Sequence, residues 1–299
     1  MNIKIALILL VALVSGSLCD AYSAEQKKCD LAGSFYSGDP KILDATLAGY
    51  LQQVELPHFD GEIIGAIAPH AGYSYSGIIA AYTYKALMDK PPEVVVILAQ
   101  SHRHRFSGIS IYPAGSFDTP LGALSVDEEV SSQLSALVFS SFEKQAFVAE
   151  NALETQLPFI KKTLSSAKIV PLVFGEVTIA QLQILADKLA EISKKKHIVI
   201  VASTDLSHYL SYDDAVKIDT KTIQRIKDKD FYALGNCDGC ACGVNPVIAF
   251  IFYSKLKGAE IKMLTYANSG DTSGDRSQVV GYVSAVAYCP VNKQSATAP

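Results

Sequence analysis

The sequence lacks tryptophan and any excess of basic residues, and both absences narrow the possible functions. None of the 299 residues is Trp, and the formal net charge is −4. The chain therefore has no indole ring on which a ligand could stack and no excess of positive charge that would bind nucleic acid. It also lacks the Gly-Lys-Ser/Thr ending of a P-loop and the Gly-x-Ser-x-Gly elbow of serine hydrolases. These absences argue against a nucleic-acid partner, a P-loop nucleotidase and a common type of serine hydrolase.

The first residues have the pattern of a secretory signal peptide. Lys4 precedes an apolar run over residues 5–14, which is too short to cross a bilayer. A small-x-small site ends at Ser23, so we expect a signal peptide over residues 1–23, with cleavage after Ala21 as the alternative. Lipid attachment at Cys19 is less favoured, because a leucine directly precedes it. The pattern favours an exported protein, periplasmic or extracellular, with no membrane span after processing, over a buried first strand.

Cysteine usage predicts disulfide bonds once the chain is exported. Five of the six cysteines remain after the signal is removed, an odd number for an oxidising compartment. We expect a Cys29–Cys289 bond that joins the two ends of the domain and a Cys237–Cys240 bond that closes a tight loop. Cys242 is then left as a free thiol. A three-thiolate metal site of Cys237, Cys240 and Cys242 is the alternative, although no fourth ligand is obvious nearby.

Strand and helix patterns alternate along the rest of the chain. Residues 63–68, 94–99 and 198–202 are short apolar runs typical of buried strands. No repeat and no linker interrupts the alternation. The sequence therefore predicts one α/β domain over residues 29–290, with a largely parallel central sheet flanked by helices, and a disordered tail over residues 291–299.

Polar side chains follow the three apolar runs. His70 and His102 end the first two, and Asp205 and His208 follow the third. A single histidine at a strand end is usually a hydrogen-bonded surface residue, but three of them at the ligand-binding edge of one sheet favour a shared site. On one helical turn, Asp205 and His208 would share a face, and a carboxylate beside an imidazole suits acid–base chemistry. Cys242, far along the chain, is a third candidate metal ligand.

Several longer motifs resemble the Memo family, called AmmeMemoRadiSam system protein B in bacteria. The likeness extends from Ala32 to Tyr288. It is carried by the motifs Ala32-Gly33-Ser34-Phe35-Tyr36, Pro69-His70-Ala71-Gly72-Tyr73-Ser74-Tyr75-Ser76-Gly77, Ser101-His102, Thr119-Pro120-Leu121-Gly122, Glu154-Thr155-Gln156-Leu157-Pro158-Phe159, Ser203-Thr204-Asp205-Leu206-Ser207-His208-Tyr209 and Cys242-Gly243. So many matches in order are specific for a family and much less specific for a reaction.

The resemblance implies a fold and a metal site. The family's fold is similar to class III extradiol ring-cleavage dioxygenases, in which two His and one carboxylate hold non-haem Fe(II). The resemblance maps the metal ligands onto His70, His102 and Cys242, with a thiol in place of the carboxylate, and the acid–base pair onto His208 and Asp205. Imidazole and thiolate suit one transition metal ion, iron first and copper or zinc next, and do not suit Mg or Ca. Asn151 stands where the family usually has a His, and an amide cannot shuttle protons.

The leading hypothesis is therefore an exported protein with a dioxygenase-like metal cleft, acting as a metal-dependent redox enzyme on a small aromatic or oxidisable substrate. One alternative is a binding module that uses the same cleft for a peptide or small molecule without turnover. Another is a protein that handles iron or copper. The sequence predicts neither the substrate nor the oligomeric state.

Overall fold

The computed structural model describes residues 25–291. The predicted signal peptide and residues 292–299 of the predicted tail lie outside the described residues, so both stay predictions. No helix in the described part of the chain has both the length and the hydropathy needed to cross a membrane.

Strands and helices follow one another as the sequence pattern predicts. The strands are β1 (Gln26–Lys27), β2 (Gly61–Ala68), β3 (Val94–Gln100), β4 (Ile109–Ile111), β5 (Ser116–Phe117), β6 (Leu124–Ser125), β7 (Ser140–Ser141), β8 (Lys168–Phe174), β9 (Ile198–Ser203), β10 (His208–Leu210), β11 (Glu260–Asn268) and β12 (Val279–Pro290). The helices are α1 (Pro40–Gln53), α2 (Tyr73–Leu87), α3 (Glu128–Ser135), α4 (Asn151–Glu154), α5 (Gln156–Thr163), α6 (Ile179–Ile192), α7 (Tyr212–Lys227), α8 (Phe231–Gly235), α9 (Val244–Leu256) and α10 (Ser269–Ser273), with a 3₁₀ turn at Lys144–Phe147.

The main sheet is mixed, not largely parallel. Its strand order is β10-β12-β2-β9-β3-β8-β4-β7, and β11 pairs with β12. The four central strands β2, β9, β3 and β8 run parallel, as predicted. The pairs β12–β2, β11–β12 and β4–β8 are antiparallel. Only a short segment joins β11 to β12, so the chain reverses there, whereas a parallel pair needs a long crossover.

Each central strand contributes alternate side chains to two separate apolar layers. In β3, Val94, Val96 and Leu98 pack into the layer that includes α6 and α9. Their neighbours Val95, Ile97 and Ala99 pack into the layer that includes α1, α2 and α5. All six side chains have 0% exposure. Helices on both faces explain why these strands are unbroken apolar runs rather than alternating ones.

The predicted clasp between the two ends of the domain is absent. Cys29 and Cys289 are free thiols. Cys29 lies near Glu154, in helix α4, which contacts the residues at the end of β2. Cys289 pairs with Glu62, at the opposite end of the same strand. A strand of eight residues spans about 26 Å, far beyond the reach of a disulfide. The prediction of this bond was therefore wrong, because nearness to the chain ends does not imply nearness in the fold.

The predicted Cys237–Cys240 bond is also absent. Both residues are free thiols in the loop between α8 and α9. The Cys240 thiol donates to the Cys237 carbonyl oxygen at 3.3 Å instead of joining the Cys237 sulfur. The spacing correctly predicted a tight turn but did not predict the covalent bond.

Candidate metal centre

His70 is anchored at the end of β2 with one ring nitrogen left for a ligand. Its side chain is only 2% exposed. Its backbone N–H donates to Asp205 Oδ1 at 2.8 Å, and its Nδ1 lies 2.9 Å from Ser203 Oγ. Its Nε2 lies 3.1 Å from the Cys242 sulfur. The neighbouring strand β9 and the loop after it thus orient the imidazole towards Cys242.

Cys242 is bonded to Asp205, just after β9, although it lies 37 residues further along the chain than Asp205. Its backbone N–H donates to the Asp205 carbonyl oxygen at 3.2 Å, and its sulfur accepts from the Asp205 N–H at 3.3 Å. The next N–H, of Gly243, donates to Thr204 Oγ1 at 2.9 Å. A Cβ on Gly243 would lie 2.5 Å from the Ser203 carbonyl oxygen, so only glycine allows this close approach. These contacts place the thiol beside His70.

His102, at the end of β3, is held by a buried carboxylate that sequence reasoning missed. Glu150 Oε2 accepts the His102 backbone N–H at 2.7 Å, and Glu150 Oε1 lies 2.8 Å from His102 Nδ1. The Glu150 side chain is 1% exposed and that of His102 is 30% exposed. Since the carboxylate occupies Nδ1, the Nε2 atom remains for a metal. A carboxylate on the far nitrogen of a metal-binding histidine is a common supporting contact.

The structure brings the three predicted ligands together. One ligand atom from each of His70, His102 and Cys242 lies within 4.8 Å of the others, and within residues 25–291 no other group of three or more His, Cys, Asp or Glu does so. The two imidazole centroids are 5.1 Å apart. We call these three residues the metal centre. Two imidazoles and a thiol fit a transition metal and leave room for a further ligand. The three-thiolate alternative was wrong, because the Cys242 thiol lies at this centre.

Burial and nearby charges together shift the pKa values of the three candidate ligands. It lowers the pKa of His70 to about 3, and the nearby charge of His102 lowers it further. Burial also lowers the pKa of His102, but the hydrogen bond and charge of Glu150 outweigh it, so that pKa is raised. Burial and the Asp205 charge raise the pKa of the Cys242 thiol well above its usual range. A metal would therefore meet a neutral His70 and would displace a proton from Cys242.

The low pKa of His70 makes the metal-free protein sensitive to acid. Above pH 6.5 the imidazole is neutral in both the folded and the unfolded chain, so its contribution to stability is complete. As the pH falls below 6.5, only the unfolded chain takes up the proton, and stability is lost until the folded pKa of about 3. We expect the free energy of unfolding to fall by about 2 kcal/mol more in the native protein than in His70→Gln between about pH 7.5 and pH 5.

Denaturant unfolding with a metal chelator present measures this difference. Burial raises the pKa of Asp205 to about 6, which changes stability in the opposite direction, but both proteins retain that carboxyl. Equal pH dependence in the two proteins would contradict a neutral, buried His70.

Glu150 gives a second prediction. Glu150→Gln keeps an oxygen acceptor but removes the charge that orients the His102 ring through Nδ1. We expect metal affinity to fall by about 10- to 100-fold, the range seen when such supporting contacts are removed. Competition titration against a metal chelator measures the change. Glu62→Gln is the matched control, because Glu62 faces His197 at 3.5 Å, outside the metal centre. Equal affinity in the native protein and Glu150→Gln would show that the carboxylate does not support the ligand.

Within the described residues, Asp205 and His208 are not hydrogen-bonded to each other, although the charge of His208 acts on the Asp205 carboxyl. His208 begins β10, and its Nδ1 donates to the Leu206 carbonyl oxygen at 2.8 Å, so no residue from 25 to 291 bonds its Nε2. Asp205 instead contacts His70, through the backbone N–H and, at 3.9 Å, through Nε2. The expected helical turn is absent because β10 pairs with β12, with a bulge between His208 and Leu210. Both residues remain close enough to the metal centre to affect its electrostatics.

Two amides support the metal centre, one from the buried Gln156 and one from the half-buried Asn151. Gln156 Nε2 donates to Ser203 Oγ at 3.1 Å and to the Pro69 carbonyl oxygen at 3.0 Å. Asn151 Nδ2 donates to the His70 carbonyl oxygen at 3.5 Å. Asn151 therefore lies at the site but contacts only the backbone of a ligand. Ser203 and Gln156 lie within the recognised motifs, yet no local pattern indicated that they orient His70.

Comparison with known proteins agrees with these motifs. A family model described as Memo-like protein matches residues 27–286. A MEMO1 family protein of Saccharolobus solfataricus is 35% identical over 279 residues, covering 85% of this chain and 96% of the relative. Another, of Desulfurococcus amylolyticus, is 37% identical over 234 residues, covering 75% of this chain and 83% of the relative. A crystal structure of an uncharacterized Escherichia coli K12 protein aligns with a TM-score of 0.49 at 13% identity, covering 75% of this chain and 99% of that one. The family match and the identity over most of the chain establish that this protein belongs to the Memo family.

Proposed function

We propose that this protein binds one transition metal ion at the metal centre and uses it for redox chemistry on a small substrate, as a class III dioxygenase-like protein. Iron is the leading candidate, and copper and zinc also fit the ligands. The observation that carries the proposal is the convergence of two anchored imidazoles and a thiol within 4.8 Å. The predicted signal peptide would place this chemistry in the periplasm or outside the cell.

The residues around the metal centre have distinct roles in this proposal. A bound metal would supply Lewis acidity and, for iron or copper, electron transfer. The His208 ring bonds to the Leu206 carbonyl oxygen through Nδ1, and in the described part of the chain nothing bonds its Nε2. It can therefore take a proton from a small molecule or return one. The Asp205 carboxylate accepts the backbone N–H of His70 and so orients this residue. Burial raises the pKa of Asp205 to about 6, so this carboxyl can exchange a proton near neutral pH.

Metal handling is a second candidate, and the Cys242 thiol favours it. Burial raises the pKa of this thiol, so metal uptake must release a proton. The affinity would then fall as the pH falls, which suits a site that loads and unloads its metal. The partly exposed His102, at 30%, gives the metal a route in and out.

Metal analysis of protein purified without oxygen is the first test. We expect close to one equivalent of a transition metal per chain after anaerobic reconstitution. Oxygen uptake with catechol-type substrates then separates turnover from metal handling, and metal exchange rates measured with a chelator identify the latter. Protein that takes up no metal under these conditions would contradict both proposals.

A further inference from the structure

Cys237 and Cys240 form a pair of neighbouring thiols outside the metal centre. They lie in the loop between α8 and α9, where Gly239 has a φ of +69°. The Cys237 N–H donates to the Leu234 carbonyl oxygen at 3.1 Å, which continues the turn from α8. The Cys240 thiol donates to the Cys237 carbonyl oxygen at 3.3 Å, and its side chain also interacts with that of Cys237. We call these two residues the thiol pair.

The thiol pair is separate from the metal centre although Cys242 is only two residues away. The Cys242 sulfur points to His70 Nε2 at 3.1 Å and accepts the Asp205 N–H. Cys240 instead points into the core, with 0% exposure, and Cys237 is half-buried against the same apolar layer. One thiol of the pair is thus shielded from water while the other can be reached from the surface.

We propose that the thiol pair binds a Cu(I) ion, in a second site that does not share ligands with the metal centre. Thiolates select soft ions, of which Cu(I) is stable with only two sulfur ligands. Zinc takes four ligands in structural sites. The described residues supply no third His, Cys, Asp or Glu to this pair, since the one such cluster in residues 25–291 is the metal centre. The number and type of ligands therefore favour Cu(I) over Zn(II) and over hard ions.

Cu(I) binding at the thiol pair exchanges two protons for the metal ion. When Cu(I) binds, two S–H bonds break, two Cu–S bonds form and two protons are released to solvent. No electron is transferred, and the product carries one net negative charge.

Anaerobic Cu(I) titration of the fully reduced protein, against a chromogenic chelator, tests the second site. A thiol assay on denatured protein first checks that both cysteines are reduced. We expect two Cu(I) ions per chain in the native protein. We expect one in Cys242→Ser, retained at the thiol pair, and one in Cys237→Ser, retained at the metal centre. Cys289→Ser is the matched control, because Cys289 is also a half-buried free thiol, and it should bind two ions.

The coordination of the bound ion gives an independent readout. In Cys242→Ser, X-ray absorption at the copper edge should report two sulfur ligands and no imidazole. If Cys237→Ser is misfolded by circular dichroism, Cys240→Ala replaces it as the variant. Equal Cu(I) binding by the native protein and the folded variant, or a complete loss of Cu(I) in Cys242→Ser, would overturn the proposal. A His70→Ala protein that binds copper only at the thiol pair would support the proposal, even if the metal centre of the native protein binds no ion.

Discussion

Replacing Cys242 by alanine is expected to abolish transition-metal binding at the metal centre. The thiol is the only anionic ligand of the three, and it lies 3.1 Å from His70 Nε2. Loss of a supporting contact costs about 10- to 100-fold in affinity, so loss of this ligand should cost more than about 100-fold. Co(II) is the probe, because a thiolate ligand gives it a strong near-ultraviolet band. The native protein should show that band, and Cys242→Ala should not.

The fold should survive this substitution, which makes the result interpretable. Cys242 makes its backbone contacts to Asp205 through its N–H, which alanine retains. Far-ultraviolet circular dichroism and denaturant unfolding check this. Cys29→Ala is the matched control, because Cys29 is a free, partly buried thiol away from the metal centre. A folded Cys242→Ala protein that keeps native Co(II) affinity would place the metal site elsewhere.

If the protein turns over a small substrate, as we propose, replacing His208 by glutamine is expected to lower kcat strongly while leaving the metal content unchanged. Glutamine can still donate to the Leu206 carbonyl oxygen, the contact that His208 Nδ1 makes at 2.8 Å. It cannot take up a proton at the position of Nε2. Positioned acid–base groups contribute about 10²- to 10⁴-fold to rates, so kcat should fall by this factor. Steady-state kinetics as a function of pH, together with metal analysis of the same samples, measure both effects.

His58→Gln is the control for this experiment, because His58 lines a separate pocket with Phe59 and Lys85. It should keep native kinetics and metal content. If His208→Gln retains turnover, His208 is not the proton-transfer group. If it loses both metal and turnover, the residue supports the metal centre instead of the chemistry.

Two of the three candidate ligands could be located from the sequence because strand ends are a local property. Unbroken apolar runs identify strands that are covered on both faces, and the first polar residues after them must lie at the carboxyl edge. His70 and His102 are such residues. Cys242 follows no strand, and it was a candidate because the expected disulfide pairs leave it free and because it lies in a family motif. The contact between Cys242 and His70 spans 172 residues, so no local pattern could reveal it.

The supporting contacts were decided by the tertiary structure. Glu150 lies 48 residues from His102, and its burial depends on how α4 packs against the end of β3. The sequence placed Asp205 beside His208 because three residues share a helical face. In the fold, β10 pairs antiparallel with β12. Asp205 instead forms hydrogen bonds with His70 and Cys242.

The sequence by itself determined the α/β class, the buried central strands, the family and the three residues that could hold a metal ion. All of these are encoded by hydrophobic periodicity or by motifs of residues close together in the chain. Only the tertiary structure decided the antiparallel edges of the sheet, the free state of the five described cysteines and the partners of each ligand. The physical reason is that strand order and direction bring distant segments together, and hydrogen bonds and disulfides form only between groups that meet there.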